Sequence, residues 1–295
     1  MKICIIGASG VIGSKLFQYL SDNGHDVIGT YNSHKLENIR KCVQLDIRDR
    51  SLTMNFLEKN NPDIIIHTSA ITNVDLCETD QEIAYSVNVN GTKNIVDGCK
   101  LINKKIIYIS TSYVFDGTKL EYFEDDETKP STYYGFTKLK GENLIQNSGL
   151  SYLILRTDQP YDWKEKEQHT NSVLRVIETL KEDKNLNEIK NWYNTPTYVP
   201  DLVLIISKLI KNCSEGIFHV VGPDYINRYF WSLEVAKIFN LDETKIYPIK
   251  SEKLQLHAKR TNVNLKNTKI LKETGLKIKG VKEGAIAMKN ELEKL

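Results

Sequence analysis

The sequence predicts an α/β fold, a doubly wound parallel sheet with a smaller region built from the C-terminal part of the chain. Three observations carry this expectation. Short apolar runs recur through the first half, stretches with helical spacing separate them, and the strict alternation fades in the second half. Strands that alternate with helices are joined by crossovers rather than hairpins, which makes the sheet parallel.

The elements follow in order. Lys2–Ile6, Asp26–Thr30, Val43–Asp46, Asp63–His67, Lys105–Ser110 and Tyr152–Arg156 read as buried strands. Val11–Asn23 places Ile12, Leu16, Tyr19 and Leu20 at helical spacing. Asn60-Asn61-Pro62 stops a helix before the fourth strand, because proline cannot continue one. In the second half Asn171–Asp183, Asp201–Asn212 and Phe230–Phe239 read as helices and Gly216–Val221 as a strand. Val281–Leu295 reads as an exposed closing helix. The expected division is a nucleotide-binding unit over 1–156 and a substrate-facing region over 157–295, some of whose segments return to pack on the first unit.

Composition narrows the function classes. With 40 basic and 38 acidic side chains in 295 residues the net charge is +2, which gives no electrostatic footprint for nucleic acid. Five scattered cysteines and six scattered histidines show neither CxxC nor HxxxH spacing, so neither a disulfide framework nor a metal site is expected. No apolar run approaches the roughly 20 residues of a membrane span. A first strand starting at Lys2 leaves no space for a signal peptide. The expectation is a soluble, cytoplasmic protein with no membrane partner.

After the first strand the chain reads Gly7-Ala8-Ser9-Gly10-Val11-Ile12-Gly13. Glycines at this point let the backbone turn tightly, approach a pyrophosphate and pack helix against strand, while the helix N-terminus favours the phosphate charge. The unit is therefore Rossmann-like and the expected ligand a nicotinamide dinucleotide. The spacing is GxxGxxG rather than GxGxxG, the form found in extended short-chain dehydrogenase/reductases. The second strand runs into Tyr31-Asn32-Ser33-His34-Lys35, which has no acid to hold the ribose hydroxyls and repel a 2′-phosphate. NADP(H) is thus the preferred cofactor, with NAD(H) as the other possibility. Lys35 is the candidate phosphate contact. Asp46 and Ile47, at the end of the third strand, are placed to meet the adenine.

Two YxxxK matches occur. Tyr31–Lys35 falls in a loop, where that spacing does not bring side chains together. Tyr134–Lys138 falls in a helical stretch after the fifth strand, where both project from one face, while Tyr133 is out of register. Hydride reduction of a ketone leaves an alkoxide that needs a proton. A tyrosine can supply it if a nearby ammonium lowers its pKa from about 10. Thr111, at the end of the fifth strand, is placed to orient the carbonyl oxygen.

Through most of its length the chain resembles the dTDP-4-dehydrorhamnose reductases. The shared segments run in order: Pro62–His67, Ala70–Asp75 with Glu78, Ala84–Thr92, Tyr108–Gly117, Glu124–Pro130, Tyr134–Glu142, Leu155–Thr157, Pro196–Leu202 and Gly216–His219. The resemblance implies Thr111, Tyr134 and Lys138 as a catalytic triad and Gly7, Gly10 and Gly13 as a phosphate loop. It further implies Ser69, Ala70 and Thr72 along the dinucleotide, and Asn88 beside them as support for the backbone. The implied reaction is reduction of the C4 ketone of a nucleotide-linked 6-deoxy sugar by NAD(P)H, and the implied assembly a homodimer. Two departures fall where substrate belongs. Ser112 stands where the family usually has an acid after the threonine, and Asp158-Gln159-Pro160-Tyr161-Asp162-Trp163 replaces a run with an early tryptophan. Ser112-Tyr113 lacks the Asp-Glu pair of sugar-nucleotide dehydratases. A 4-epimerase, and a regulatory β subunit of the methionine adenosyltransferase type, fit the same motifs.

Overall fold

The computed structural model describes residues 1–39 and 41–293. The first half runs β1 (Lys2–Ile6), α1 (Val11–Asp22), β2 (Asp26–Tyr31), β3 (Cys42–Gln44), α2 (Arg50–Asn60) and β4 (Ile64–His67). Next come α3 (Val74–Thr79), α4 (Gln81–Tyr85), a π-helical turn over Ser86–Gly91, α5 (Thr92–Ile102), β5 (Lys105–Thr111), α6 (Tyr133–Gln146) and β6 (Tyr152–Thr157). The second half contains β7 (Pro160–Tyr161), α7 (Ser172–Lys181), β8 (Leu186–Ile189), β9 (Tyr193–Asn194), β10 (Thr197–Tyr198) and α8 (Val199–Lys211). It ends with β11 (Gly216–His219), β12 (Ile226–Asn227), α9 (Arg228–Ile238), β13 (Ile246–Ile249), α10 (Thr268–Thr274) and α11 (Val281–Leu292).

Seven strands form one sheet in the order β11-β6-β5-β4-β1-β2-β3, and every pairing in it is parallel. The central strands β1, β4, β5 and β6 are covered on both faces and are apolar on both sides, whereas the edge strand β3, expected to be buried, leaves Val43 and Gln44 exposed because nothing pairs beyond it among the described residues. Ile3 and Ile5 of β1, Ile64 and Ile66 of β4, and Leu153 and Leu155 of β6 point to one face, where α1 and α8 supply Leu16, Leu20, Leu202 and Ile206. Cys4, Ile6, Ile65 and Ile154 point to the other, against Leu57 of α2, Ile95 and Cys99 of α5 and Ile145 of α6. Each such fully buried aliphatic side chain contributes roughly 1.5–3 kcal/mol.

Several boundaries move for identifiable reasons. The third strand occupies Cys42–Gln44 rather than Val43–Asp46, because Asp46 turns out of the ladder to accept from the Arg48 N–H at 2.9 Å. The helix expected from Asp201 begins at Val199, since Pro200 is tolerated in a first turn. The helix expected from Phe230 begins at Arg228, capped by Asn227, whose Oδ1 accepts from Phe230 N at 2.8 Å. The closing helix ends at Leu292, and the last two residues of its expected span lie outside the described residues. Gly216–His219 lies in the main sheet beside β6. A second core, built from Val173, Ile177, Trp231, Val235 and Met288, joins α7, α9 and α11. Among the described residues no helix is long and apolar enough to cross a membrane.

Candidate active site

β1 lies between β2 and β4, where the chain reverses its winding, and the ends of such strands are where ligands bind in open parallel sheets. The turn leaving β1 is held tightly there. Gly7 has φ +90°, and a Cβ on it would sit 2.6 Å from Ser69 Oγ. A Cβ on Gly13 would sit 2.2 Å from Gly7 O, so α1 packs directly on the turn. Thr68 Oγ1 donates to Ile6 O and Gly7 O at 2.9 and 3.0 Å, which ties β4 to the same loop. By contrast a Cβ on Gly10 would meet only Gly7 O, at 3.5 Å, which leaves the backbone at the start of α1 open.

That opening is a cavity of about 440 Å³. Gly7, Ser9, Gly10, Val11, Ile12 and Gly13 form its floor, with Tyr31, Asn32, Ser33, Asp46 and Ile47 on one side and Ser69, Ala70 and Thr72 on the other. Four residues expected at the cofactor do not line it: Lys35 and Asn88, and also Tyr134 and Lys138, which line the neighbouring cavity. His34 and Arg48 are lining residues, whereas Lys35 is not. Asp46 holds Arg48 through contacts of 2.6 to 3.0 Å, and that guanidinium keeps the Asp46 carboxyl below its ordinary range. Asn88 lies behind the wall, where it accepts from Ile71 N at 2.8 Å and donates to Ile71 O and Thr137 Oγ1, both at 3.0 Å.

A second cavity, of about 420 Å³, adjoins the first through Ile12, Thr68, Ala70, Thr72, Pro160, Thr170 and Asn171. Thr111, Tyr134 and Lys138 all line it. Thr111 ends β5, and its Oγ1 accepts from Tyr113 N at 3.2 Å. Tyr134 enters in the first turn of α6, which Thr132 caps by accepting from Gly135 N at 3.1 Å. Tyr133 turns away and packs on Phe136, with ring centroids 5.5 Å apart.

The electrostatics differ from the sequence expectation in one respect. Burial pushes the Tyr134 phenol up, partly offset by the Thr111 hydroxyl, and the Lys138 ammonium is not what sets it. Lys138 donates instead to Ile109 O at 2.8 Å and stands 3.9 Å over the Tyr108 ring. Burial pulls its pKa down to about 7, with Glu142 acting in the opposite direction. α6 is fixed to the sheet through Glu142, which takes Arg156 of β6 in a fork at 2.8 and 3.0 Å and the Ser110 hydroxyl at 2.5 Å.

Other groups at the site carried no motif. Arg228 is buried, with its guanidinium 5.5 Å from the Trp192 ring and 5.3 Å from the Trp231 ring, and it lines the second cavity with Arg175. Gln168 reaches from the segment before α7 to Ser9 O and Ser14 Oγ, both at 3.0 Å, and so crosses the glycine turn. A lone polar residue in a polar loop gives no periodic signal, and only the three-dimensional path reveals it.

The family model described as RmlD substrate binding domain matches residues 1–293. A dTDP-4-dehydrorhamnose reductase of Aggregatibacter actinomycetemcomitans is 30% identical over 242 residues, covering 79% of this chain and 78% of that protein. The methionine adenosyltransferase 2 subunit beta of Xenopus tropicalis is 27% identical over 277 residues, covering 92% and 82%. The crystal structure of dTDP-4-dehydrorhamnose reductase from Bacillus anthracis str. Ames, in complex with NADP, matches with a TM-score of 0.88 at 27% identity, covering 98% of this chain and 99% of that one. With its seven-stranded parallel sheet and a match along nearly the whole sequence, the chain belongs to the RmlD substrate-binding-domain family, oxidoreductases of the extended short-chain dehydrogenase/reductase type.

Proposed function

We propose that this protein reduces the 4-keto group of a nucleotide-linked 6-deoxy sugar, with NADPH as the preferred hydride donor and Tyr134 as the proton donor. The observation that carries the reading is the meeting of Thr111, Tyr134 and Lys138 on one cavity wall at the carboxyl end of β5. The residues beside them fit a dinucleotide. The open backbone at Gly10 and the free N–H groups of the first turn of α1 suit a pyrophosphate, and Asp46 and Ile47 suit the adenine. The end of β2 carries no acid to repel a 2′-phosphate, and the Bacillus anthracis relative was solved with NADP.

Reduced nicotinamide, when bound, supplies the hydride. Thr111 donates its hydroxyl hydrogen to the carbonyl oxygen and holds it in place. Tyr134, kept protonated by burial, gives its proton to that oxygen as negative charge develops there. Lys138 spends one donor on Ile109 O and has two more for a ribose hydroxyl and for charge near the phenol. Asn88 fixes the Ile71 backbone along the cofactor wall.

NADPH oxidation measured against dTDP- and UDP-linked 4-keto-6-deoxy sugars tests the reading. Tyr134→Phe is expected to lose roughly 10²–10⁴-fold in turnover while still binding NADPH. Undiminished turnover in that variant refutes the proton donor. The similarity to the methionine adenosyltransferase beta subunit supports a second reading, an NADP-binding regulatory subunit. Capture of a synthetase partner, with no turnover of any keto sugar, is the result that favours it.

A further inference from the structure

Asp158 is the one carboxylate among the described residues that line the second cavity. It follows β6 directly and is only 3% exposed. Oδ1 accepts from Ser112 Oγ at 2.9 Å, and Oδ2 accepts from Thr195 N at 2.8 Å and more weakly from Thr195 Oγ1 at 3.4 Å. An ionised carboxylate offers about four acceptor directions, so capacity remains on the cavity side. No ion pair involving Asp158 occurs among the described residues. Burying a carboxylate without a paired cation costs stability, and a cavity-facing acceptor is a use that offsets that cost.

Its surroundings suit hydroxyl recognition. Ser112, which touches the carboxylate, directly follows Thr111, and Thr111 and Asp158 line the same cavity. The buried Tyr113 hydroxyl has no hydrogen-bond partner among the described residues, and Tyr113 lines the same cavity, as does Arg228. An acid immediately after Thr111 would enter this place from β5. Here the carboxylate comes from the end of β6, and a serine reaches across to it.

Resting on the reductase reading above, we propose that Asp158 is a specificity-determining acceptor, taking a hydroxyl hydrogen from the bound sugar ring near the carbonyl that is reduced. Asp158→Asn tests this without dismantling the site. The amide oxygen still accepts from Thr195 N, and the amide nitrogen donates to Ser112 Oγ, so both cross-links survive while the charge is lost.

The assays use the full chain with NADPH and a dTDP-linked 4-keto-6-deoxy hexose. In D158N, kcat/KM is expected to fall about 10–100-fold, mainly through KM, the loss of one charge-assisted hydrogen bond. NADPH affinity, read by fluorescence titration, is expected to be unchanged. The double variant S112D/D158S, which returns the carboxylate to the β5 side, is expected to recover most of the loss. Burial raises the Asp158 pKa to about 6, so kcat/KM of the unmodified enzyme is expected to fall below that pH, and D158N to lack this limb. The other titratable groups facing Asp158 are Tyr113, Tyr134 and Tyr225, all pushed up, and Arg228, whose pKa of about 10 keeps it charged. None of these ionises near pH 6; Lys138, which lines the same cavity with its pKa pulled down to about 7, titrates close by but is present in both proteins, so the limb that D158N lacks belongs to the carboxylate.

Unchanged kcat/KM with an unchanged acid limb in D158N overturns the proposal and leaves the reductase reading standing. Joint loss of NADPH binding and turnover, not rescued by the swap, reduces Asp158 to a structural role and also overturns it. If the unmodified protein neither turns over nor binds any dTDP- or UDP-linked keto sugar, the reductase reading itself fails and the proposal with it.

Discussion

Replacing Glu142 by glutamine tests how α6 is held to the sheet. Glu142 is fully buried and takes Nε and Nη2 of Arg156 on its two oxygens at 3.0 and 2.8 Å, with the Ser110 hydroxyl as a third donor. A glutamine keeps one acceptor for Ser110 and Nε but turns an N–H₂ toward Nη2, donor against donor. The guanidinium, 3% exposed, stays in place with its charge uncompensated. Breaking one side of such a buried pair costs about 3–5 kcal/mol. With an unfolding entropy of about 2.1 cal/mol/K per residue, the 295-residue chain has about 0.6 kcal/mol/K, so Tm is expected to fall by about 5–8 °C. Urea denaturation followed by circular dichroism, together with thermal scans, measures it. A loss below about 1 kcal/mol would refute the reasoning and put Glu142 with ordinary surface ion pairs. Replacing both partners by apolar residues of similar volume is expected to recover much of the loss.

Two further outcomes follow from the same geometry. Gly13→Ala puts a Cβ 2.2 Å from Gly7 O and 2.9 Å from Ala8 Cα, so the turn must move. NADPH affinity by fluorescence titration is expected to drop at least about tenfold, with a stability loss of about 1–3 kcal/mol; wild-type affinity would show that the turn is not the cofactor's floor. Burial and the neighbouring Arg156 charge depress the His219 pKa from 6.5 to about 3, so the unfolded chain binds the extra proton first as pH falls. The stability from neutral His219 is complete above about pH 6.5 and declines by about 1.4 kcal/mol per pH unit below it, about 2 kcal/mol by pH 5. Urea denaturation at both pH values is expected to show a correspondingly shallower acid loss in His219→Gln, and equal losses in the two proteins would contradict the assignment.

The centre of the sheet was legible because its strands are buried on both faces. Runs such as Ile64-Ile65-Ile66 and Lys105–Thr111 need no alternation to be read, and the glycine turn and the Tyr134–Lys138 spacing name their own positions. The two-residue pairings, such as Thr197 with Pro160, have no local signature, since each exists only because two distant loops meet. The same holds for the chemistry around the motifs. Asp158 was visible as a departure after Arg156-Thr157, but its contact with Ser112 joins positions 46 residues apart. The expected effect of Lys138 on Tyr134 treated the pair as an isolated helix face. In the fold the ammonium finds Ile109 O and the Tyr108 ring, both supplied by β5.

The seven residues common to both cavities make a partition with two wet sides. On the proposed reading, a shift of Ile12, Ala70 or Thr72 that suits a dinucleotide in one cavity reshapes the space for a sugar nucleotide in the other. Two ligands bound against one partition are thermodynamically linked, and the linkage is reciprocal. Whatever factor a bound dinucleotide adds to the affinity for the sugar nucleotide, the sugar nucleotide must return to the dinucleotide. Isothermal titrations of each ligand, with and without the other, therefore close a cycle whose two arms must agree.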